Sequence, residues 1–415
     1  MFKIILKNLW SRRNYNVWLF LELILVTVIA WVVVNPVVQL LHNRSLPLGY
    51  DADRLCLIKL DSDWSEDVRD TLTTREEAVR IIADRLQGME EVENVLLEYY
   101  STSLGTEFVW RGKYSSKFRP DSPVETFQLI FQKGKKYFET FGIKSLPGSP
   151  SPEQLSEGIN VPNGVVVTRS FAIALFGTDR VVGDSISLCG QNEDRYSRIV
   201  GVVEDVRVRS YSDVATVVFS TDMYPMNQLP HIVVRLREGV SPSLFSEKIA
   251  AQSNRELCSG RQFIRSILPF EDLARQTEYS FGITNEVRLD IALAVFFMVS
   301  LCLGVVGSFW FQTRRRKEEI FIMRSFGATR RTIVSMLLGE GVVMVTMAVF
   351  VGCMAYLQYI HQVGTQSIRE LWEEGFFVDS CFSNFTFHFT VVSFIVYVLL
   401  LAVVCLGIYI PARRT

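Results

Sequence analysis

The sequence predicts an α-helical membrane protein with four transmembrane helices and a large extracytoplasmic α+β domain of two subdomains between the first and second spans. Three observations carry that expectation. Four apolar runs, roughly Val17 to Val38, Ile291 to Thr313, Ile333 to Ile360 and Phe389 to Ile410, are each long enough to cross about 30 Å of hydrocarbon at about 1.5 Å per residue. Lys and Arg gather in the segments that such spans would leave on one side. Between the first and second runs the pattern changes to short strand-like and helix-like stretches punctuated by Gly and Pro. The 415 residues agree in bulk, being 49% hydrophobic with 29 Phe.

The elements follow in order. Residues 1–16 carry Lys3, Lys7, Arg12 and Arg13 and read as a cytoplasmic amphipathic segment. Residues 17–40 form the first span; it is too long for a signal peptide, lacks a small-residue cleavage site, and is expected to break at Asn35-Pro36. The extracytoplasmic domain covers 41–288 and the second span 289–313. Residues 314–332 hold Arg314, Arg315, Arg316, Lys317, Arg324, Arg330 and Arg331 and form a cytoplasmic helix. The third span is 333–360, followed by a short external loop, 361–388, where Arg369 faces Glu370, Glu373, Glu374 and Asp379 in composition. The fourth span is 389–411 and the tail 412–415 ends in Arg413 and Arg414. Basic residues inside and acidic ones outside put both termini in the cytoplasm.

From Arg44 to Arg288 there are 29 Lys and Arg against 35 Asp and Glu, which excludes a nucleic-acid binder. Asp53 to Leu60 reads as a strand. Thr73-Thr-Arg-Glu76 looks like a capping box opening a helix with apolar positions Ala78, Val79, Ile82 and Leu86, ending near Gly88. Asn94 to Tyr100 returns as a strand. Pro147-Gly-Ser-Pro-Ser-Pro152 marks a loop or subdomain boundary. Beyond it, Gly164 to Thr168, a helix Ser170 to Phe176, Gly183 to Leu188 and Arg198 to Val203 make a β-rich subdomain. Ile232 to Arg237 and a helix near Ser243 to Ala251 return to the first subdomain, so the two are interleaved.

Enzyme chemistry finds no foothold. A Gly-x-x-x-x-Gly-Lys-Ser/Thr loop is missing from the sequence, so ATP would have to be used by a partner. The four histidines, His42, His231, His361 and His388, show no metal-ligand spacing, and no Gly-x-Ser-x-Gly elbow occurs. No catalytic residue and no metal site are therefore assigned. Of seven cysteines, Cys302, Cys353 and Cys405 fall in spans. Cys56, Cys189, Cys258 and Cys381 lie outside them and read as packed free thiols, with one disulfide as the alternative.

Two spans contain a carboxylate, Glu22 and Glu340, each near the cytoplasmic face. Such groups reach interfacial water or pair with a base such as Arg12 or Arg331; gating, dimer packing and ion translocation are the functional alternatives. In the inner segment, Ile320, Met323 and Phe326 form an apolar stripe at i, i+3 and i+6, with Arg316, Lys317 and Arg324 elsewhere. Gly327 supplies a left-handed turn to end the helix, and Thr329 caps the next one by accepting from the amide of Arg331 or Thr332. A basic helix resting on anionic lipid is the plainer reading of the same residues.

These residues resemble the inner motif of the FtsX-like, MacB-type permeases of ATP-binding-cassette systems, which runs Arg-x-x-Glu-Ile-Gly-Ile-x-Arg-Ala-Leu-Gly-Ala-Thr. Arg316, Glu319, Ile320, Ile322, Arg324, Gly327, Ala328 and Thr329 match it, while Phe321, Ser325 and Phe326 depart from it. Glu340 is similar to a glutamate that the family often carries in this span. Tyr137 to Lys144 and the run from Val165 through Gly183 to Gly201-Val-Val-Glu-Asp-Val206 resemble the family's external domain. Tyr409-Ile-Pro-Ala-Arg-Arg414 resembles its closing motif, without the usual Pro-x-x-Ala-Leu-Arg tail.

The resemblance implies a permease that binds no cofactor directly and draws on ATP and Mg²⁺ through a separate ATPase subunit docked beneath Arg316, Glu319, Ile320, Met323, Arg324, Gly327, Ala328 and Thr329. It implies a second permease chain, identical or paralogous, in the inner membrane. The external domain would move as a lever (mechanotransmission), for export or extraction of an extracytoplasmic substrate, with a periplasmic adaptor or outer-membrane channel as further partner. The alternatives are a signalling subunit that regulates a cell-wall hydrolase or senses an antimicrobial peptide, and an anchored binding module without an ATPase.

Overall fold

The computed structural model describes residues 13–63, 74–98, 104–105, 110–117, 119–132, 134–157, 161, 164–189, 196–209, 214, 216–221, 230–252, 256–280, 282–363 and 385–414. The chain divides into two units, Asn43–Ile283, and Met1–His42 together with Thr284–Thr415.

The first of these units holds two sheets. Strands β1 (Leu55–Ser62), β2 (Val92–Glu98), β9 (His231–Leu236) and β10 (Gln262–Pro269) form a four-stranded antiparallel sheet in the order β10-β1-β9-β2. Helices α2 (Arg75–Gln87) and α6 (Pro242–Gln252) cover one face: Val79, Ile82 and Leu86 with Phe245 and Ile249 meet Cys56, Ile58, Val234 and Leu236. The cap of α2 is Thr74, whose hydroxyl accepts from the Glu77 amide at 3.3 Å. The cap therefore sits one residue later than the spacing suggested, because Thr74 and Glu77 satisfy the same i, i+3 rule as Thr73 and Glu76. Thr73 and residues 99–100 of the expected second strand lie outside the described residues.

Strands β3 (Trp110–Ser116), β4 (Arg119–Ile130), β5 (Gly164–Thr168), β6 (Ser185–Leu188), β7 (Tyr196–Val203) and β8 (Val217–Ser220) close into a six-stranded barrel, β3-β4-β8-β5-β7-β6, with β6 pairing back onto β3. The five buried residues of β5 mark it as interior: it pairs with β7 in parallel and β8 antiparallel. Helix α5 (Arg169–Phe176) plugs the barrel with Phe171, Ala172 and Leu175. Its first turn is held by Asp205, which accepts from the Ser170 amide at 2.7 Å. The barrel is inserted between β2 and β9, so the interleaving read from the sequence is the observed topology.

A junction joins sheet and barrel. Short helices α3 (Tyr137–Phe141) and α4 (Pro152–Glu157) precede β5, and α7 (Phe270–Ser280) follows β10. The α3 rings stack into a continuous aromatic cluster: Tyr137 and Phe141 at 4.9 Å, Phe138 and Phe219 at 5.3 Å, Phe141 and Phe270 at 6.0 Å. Burial raises the Tyr50 and Tyr137 phenols well above the ordinary range, so both stay neutral. Arg235 of β9 crosses this junction, donating to the Thr140 carbonyl at 3.0 Å and to Asp51 at 2.5 Å, with Glu93 at 3.5 Å from its Nε. Gly142 ends α3 at φ +70°, where a Cβ would stand 2.3 Å from the Asp51 carboxylate.

The other unit consists of α1 (Arg13–Ser45), α8 (Ile283–Arg315), α9 (Lys317–Ser325), α10 (Arg330–Val363) and α11 (Phe385–Arg414). Among the described residues four helices are long and apolar enough to cross a membrane, over Val17–Asn35, Ile291–Ser308, Arg330–Tyr359 and Phe389–Tyr409. Helix α1 runs on through Pro36 instead of breaking there. Proline's fixed φ is already helical, and the hydrogen bond it forfeits is tolerated in a long apolar helix. Trp31 stacks on Tyr356 and Phe389 at 4.4 and 5.1 Å, tying α1, α10 and α11 together. Residues 1–12 and 364–384, including Cys381, lie outside the described residues. Among the described residues Cys56, Cys189, Cys302, Cys353 and Cys405 are free thiols, Cys189 being exposed rather than packed; burial pushes the Cys56 thiol up to about 12, which makes it inert at neutral pH.

Candidate functional site: the inner helical hairpin

The basic segment forms a short helix folded back along the start of α10. The helix is 317–325, inside the 314–332 segment, and it is ended by the turn at Gly327 that the sequence suggested. Glu318 and Glu319 lie in its first turn and Arg324 in its last, each favourable toward the helix dipole. Gly327 then adopts φ +88°. The Gly327 amide donates to Arg324 O and the Ala328 amide to Met323 O, both at 3.0 Å. This is the paired 6→1 and 5→2 pattern of a Schellman end, with Met323 and Ala328 both packed against the bundle core. Thr329 follows at once as the cap of α10, accepting from the Thr332 amide at 3.3 Å. Both turn residues thus take the roles their sequence positions suggested.

Apolar packing and an ion pair hold α9 down. Ile320 is buried in one apolar cluster with Ile333 and Leu337 of α10 and with Leu19 of α1. Arg316, immediately before α9, forms an ion pair with Glu340, and both side chains are nearly enclosed, at 11% and 4% exposure. The partner of Glu340 is therefore Arg316; Arg331 is exposed on the surface and Arg12 lies outside the described residues. A pair sequestered from water satisfies two charges that singly would be costly in an apolar bundle. Glu22 is met by the Ser308 hydroxyl, which lies 3.2 and 3.0 Å from its two oxygens and links α1 to α8.

The outward face differs from the expected stripe. Ile320 and Met323 turn to the bundle, whereas Phe326 is 89% exposed. Phe326 is the C-cap residue, and its departure from helical geometry carries it off the Ile320 face. Phe321 and Ile322, with 72% and 55% exposure, join it in an apolar surface beside Arg324, Gly327 and Arg330. Of the eight residues assigned to coupling, Arg316, Ile320, Met323 and Ala328 position the helix from within. Glu319 is half-buried, and Arg324, Gly327 and Thr329 lie at the surface. Sequence reasoning passed over Phe321 and Ile322 as contacts, and also the Arg316–Glu340 pair. A signal existed for the pair: Arg316 and Glu340 each stand twelve residues from Ala328, so a tight hairpin turning there brings them level.

Among the described residues no cluster of His, Cys, Asp or Glu is arranged to hold a metal ion. The family model of the MacB-like periplasmic core domain matches residues 50–252, and that of the FtsX-like permease C-terminal domain matches residues 291–415. No curated protein matches the chain. Similar solved structures include a permease-protein domain from Porphyromonas gingivalis, 19% identical, with TM-score 0.32, covering 54% of this chain and 94% of that one. The periplasmic region of MacB from Actinobacillus actinomycetemcomitans is 14% identical, with TM-score 0.32, over 55% and 94%. The extracellular domain of the ABC-type transporter YknZ from Gram-positive bacteria is 11% identical, with TM-score 0.30, over 51% and 100%. With the periplasmic core domain matched first, the permease domain after it and four apolar helices, the chain belongs to the FtsX-like, MacB-type permeases, inner-membrane subunits of ABC transporters that work with an ABC ATPase partner.

Proposed function

We propose that α9 is the coupling helix on which a separate ATPase subunit docks, and that ATP-driven movement there is carried through the spans to the external domain. Both termini and α9 face the cytoplasm in this reading. ATP and Mg²⁺ bind the partner, and this chain supplies no catalytic group. Two permease chains, identical or paralogous, pair through their spans, and the external domain works by mechanotransmission on an extracytoplasmic substrate, exported or extracted with the help of a periplasmic adaptor or outer-membrane channel.

The observation that carries the reading is the division of α9 into two faces. Its inner face is fixed by a buried ion pair and a Schellman turn, and its outer face presents Phe321, Ile322 and Phe326. A helix that merely rested on lipid would not need so rigid a hairpin. Exposed aromatic residues on a fixed element are what a protein partner's apolar cleft requires.

The test is a mild-detergent pull-down of the tagged chain with mass spectrometry, run beside Phe326→Glu. The expected result is an ATPase recovered with the wild-type chain and lost with the variant, at equal membrane insertion. Equal recovery from both would remove the outer face of α9 from the docking surface, and no ATPase from either would favour an anchored module.

A further inference from the structure

The external unit begins at Asn43, in the last turn of α1, and the nine residues from there to Asp51 are held by three different parts of that unit. Arg44 pairs with Glu278 of α7 at 2.6 Å, and the Glu278 side chain is 10% exposed. Arg207, which follows β7 of the barrel and is fully buried, donates through its guanidinium to Leu46 O at 2.9 Å and through its amide to Leu48 O at 2.9 Å. Gly49 sits at φ +79° with its Cα so close to the barrel chain that a Cβ would lie 2.0 Å from Asp205 O. Asp51 accepts from Arg235 of the sheet. The segment has no regular structure after Ser45 up to the short turn Ala52–Arg54, yet it is bonded to α7, barrel and sheet in succession.

We infer that Asn43–Asp51 is a strap through which displacement of α1 enters both subdomains and α7 together, with Arg207 and Glu278 as its positioning residues. The inference rests on the mechanotransmission reading above. The physical argument is one of stiffness. An unstructured linker would absorb a movement of the helix by rotating its own φ and ψ angles, whereas one bonded at Arg44, Leu46, Leu48 and Asp51 hands the movement to its partners. Helix α7 leads within a few residues into α8, so the Arg44–Glu278 pair also links the ends of the two chain segments that connect the external unit to the spans. Arg207 matters most in this scheme. With its buried guanidinium bonded to Leu46 O and its amide to Leu48 O, this one residue sets the strap's path and its attachment at once.

The experiment uses the full chain with its co-purified ATPase in nanodiscs, with and without a non-hydrolysable ATP analogue, reading amide hydrogen exchange across 110–116, 164–176 and 231–236. In the wild type the analogue should change exchange in all three segments. In Glu278→Gln and in Arg207→Met the nucleotide-dependent difference should fall by about fivefold, a typical effect of one side chain on a coupling, with ATPase recovery unchanged. Arg44→Glu combined with Glu278→Arg should restore the difference, which loss of folding could not do. A difference kept intact in the variants overturns the strap alone. A wild type with no nucleotide response overturns the mechanotransmission reading, and the strap with it.

Discussion

Arg316 in the helical bundle and Arg235 in the external unit are both enclosed arginines, and they are held in opposite ways. Arg316 meets one carboxylate, Glu340, among apolar side chains. Arg235 has a backbone carbonyl, Asp51 and Glu93 around it, in a junction where Asp51 is half-exposed. The difference teaches where each unit is vulnerable. A single enclosed pair behaves as all or nothing, because either partner left alone is an unpaired charge in an apolar medium. A shared pair loses one contact and keeps the rest.

The largest expected effect tests that contrast directly. Glu340→Leu should destabilise the bundle by about 3–5 kcal/mol, the cost of orphaning a buried partner, read as a lower thermal midpoint in detergent. Arg316→Met together with Glu340→Leu should recover most of the loss. If the single variant unfolds at the wild-type temperature, Arg316 reaches water and the contrast fails.

Next comes Gly142→Ala, which combines a left-handed backbone with a Cβ driven into Asp51. A loss of about 2 kcal/mol is expected from the backbone alone, seen as faster hydrogen exchange in β9. Asp51→Ala should cost less, about 1 kcal/mol, since Arg235 keeps its carbonyl and Glu93; a loss as large as that of Glu340→Leu would erase the distinction between the two regions.

The smallest effect is one of pH. Burial, aided by Lys59, lowers the His231 pKa. A lowered folded-state value means that the neutral ring contributes stability above its unfolded pKa of about 6.5, and that this stability is lost as pH falls through the folded value. The external unit should therefore soften under acid, and His231→Leu should flatten the slope. An unchanged slope would assign it to the carboxylates.

Legibility followed the range of the interactions. The strands at 164–168 and 231–236 and the helices at 75–87 and 242–252 were readable because alternation and caps are local. The Thr74 cap slipped by one residue because two overlapping Thr and Glu pairs satisfy one rule. Phe326 was misplaced for a related reason: periodicity describes a helix's interior, and Phe326 stands at its end. Pro36 was read as a break from its chemistry, whereas the apolar bundle keeps α1 helical through it.

By itself, the sequence determined the four spans, the interleaved external domain, the glycine turn and threonine cap of the inner hairpin, and the family. Each of these depends on composition or on residues a few positions apart. Tertiary structure alone decided the closure of the barrel, the Arg316–Glu340 pair, the outward aromatic face and the bonding of Asn43–Asp51. Those join residues up to 234 positions apart, and such partners are chosen by how the packed elements bring them together, which no local pattern records.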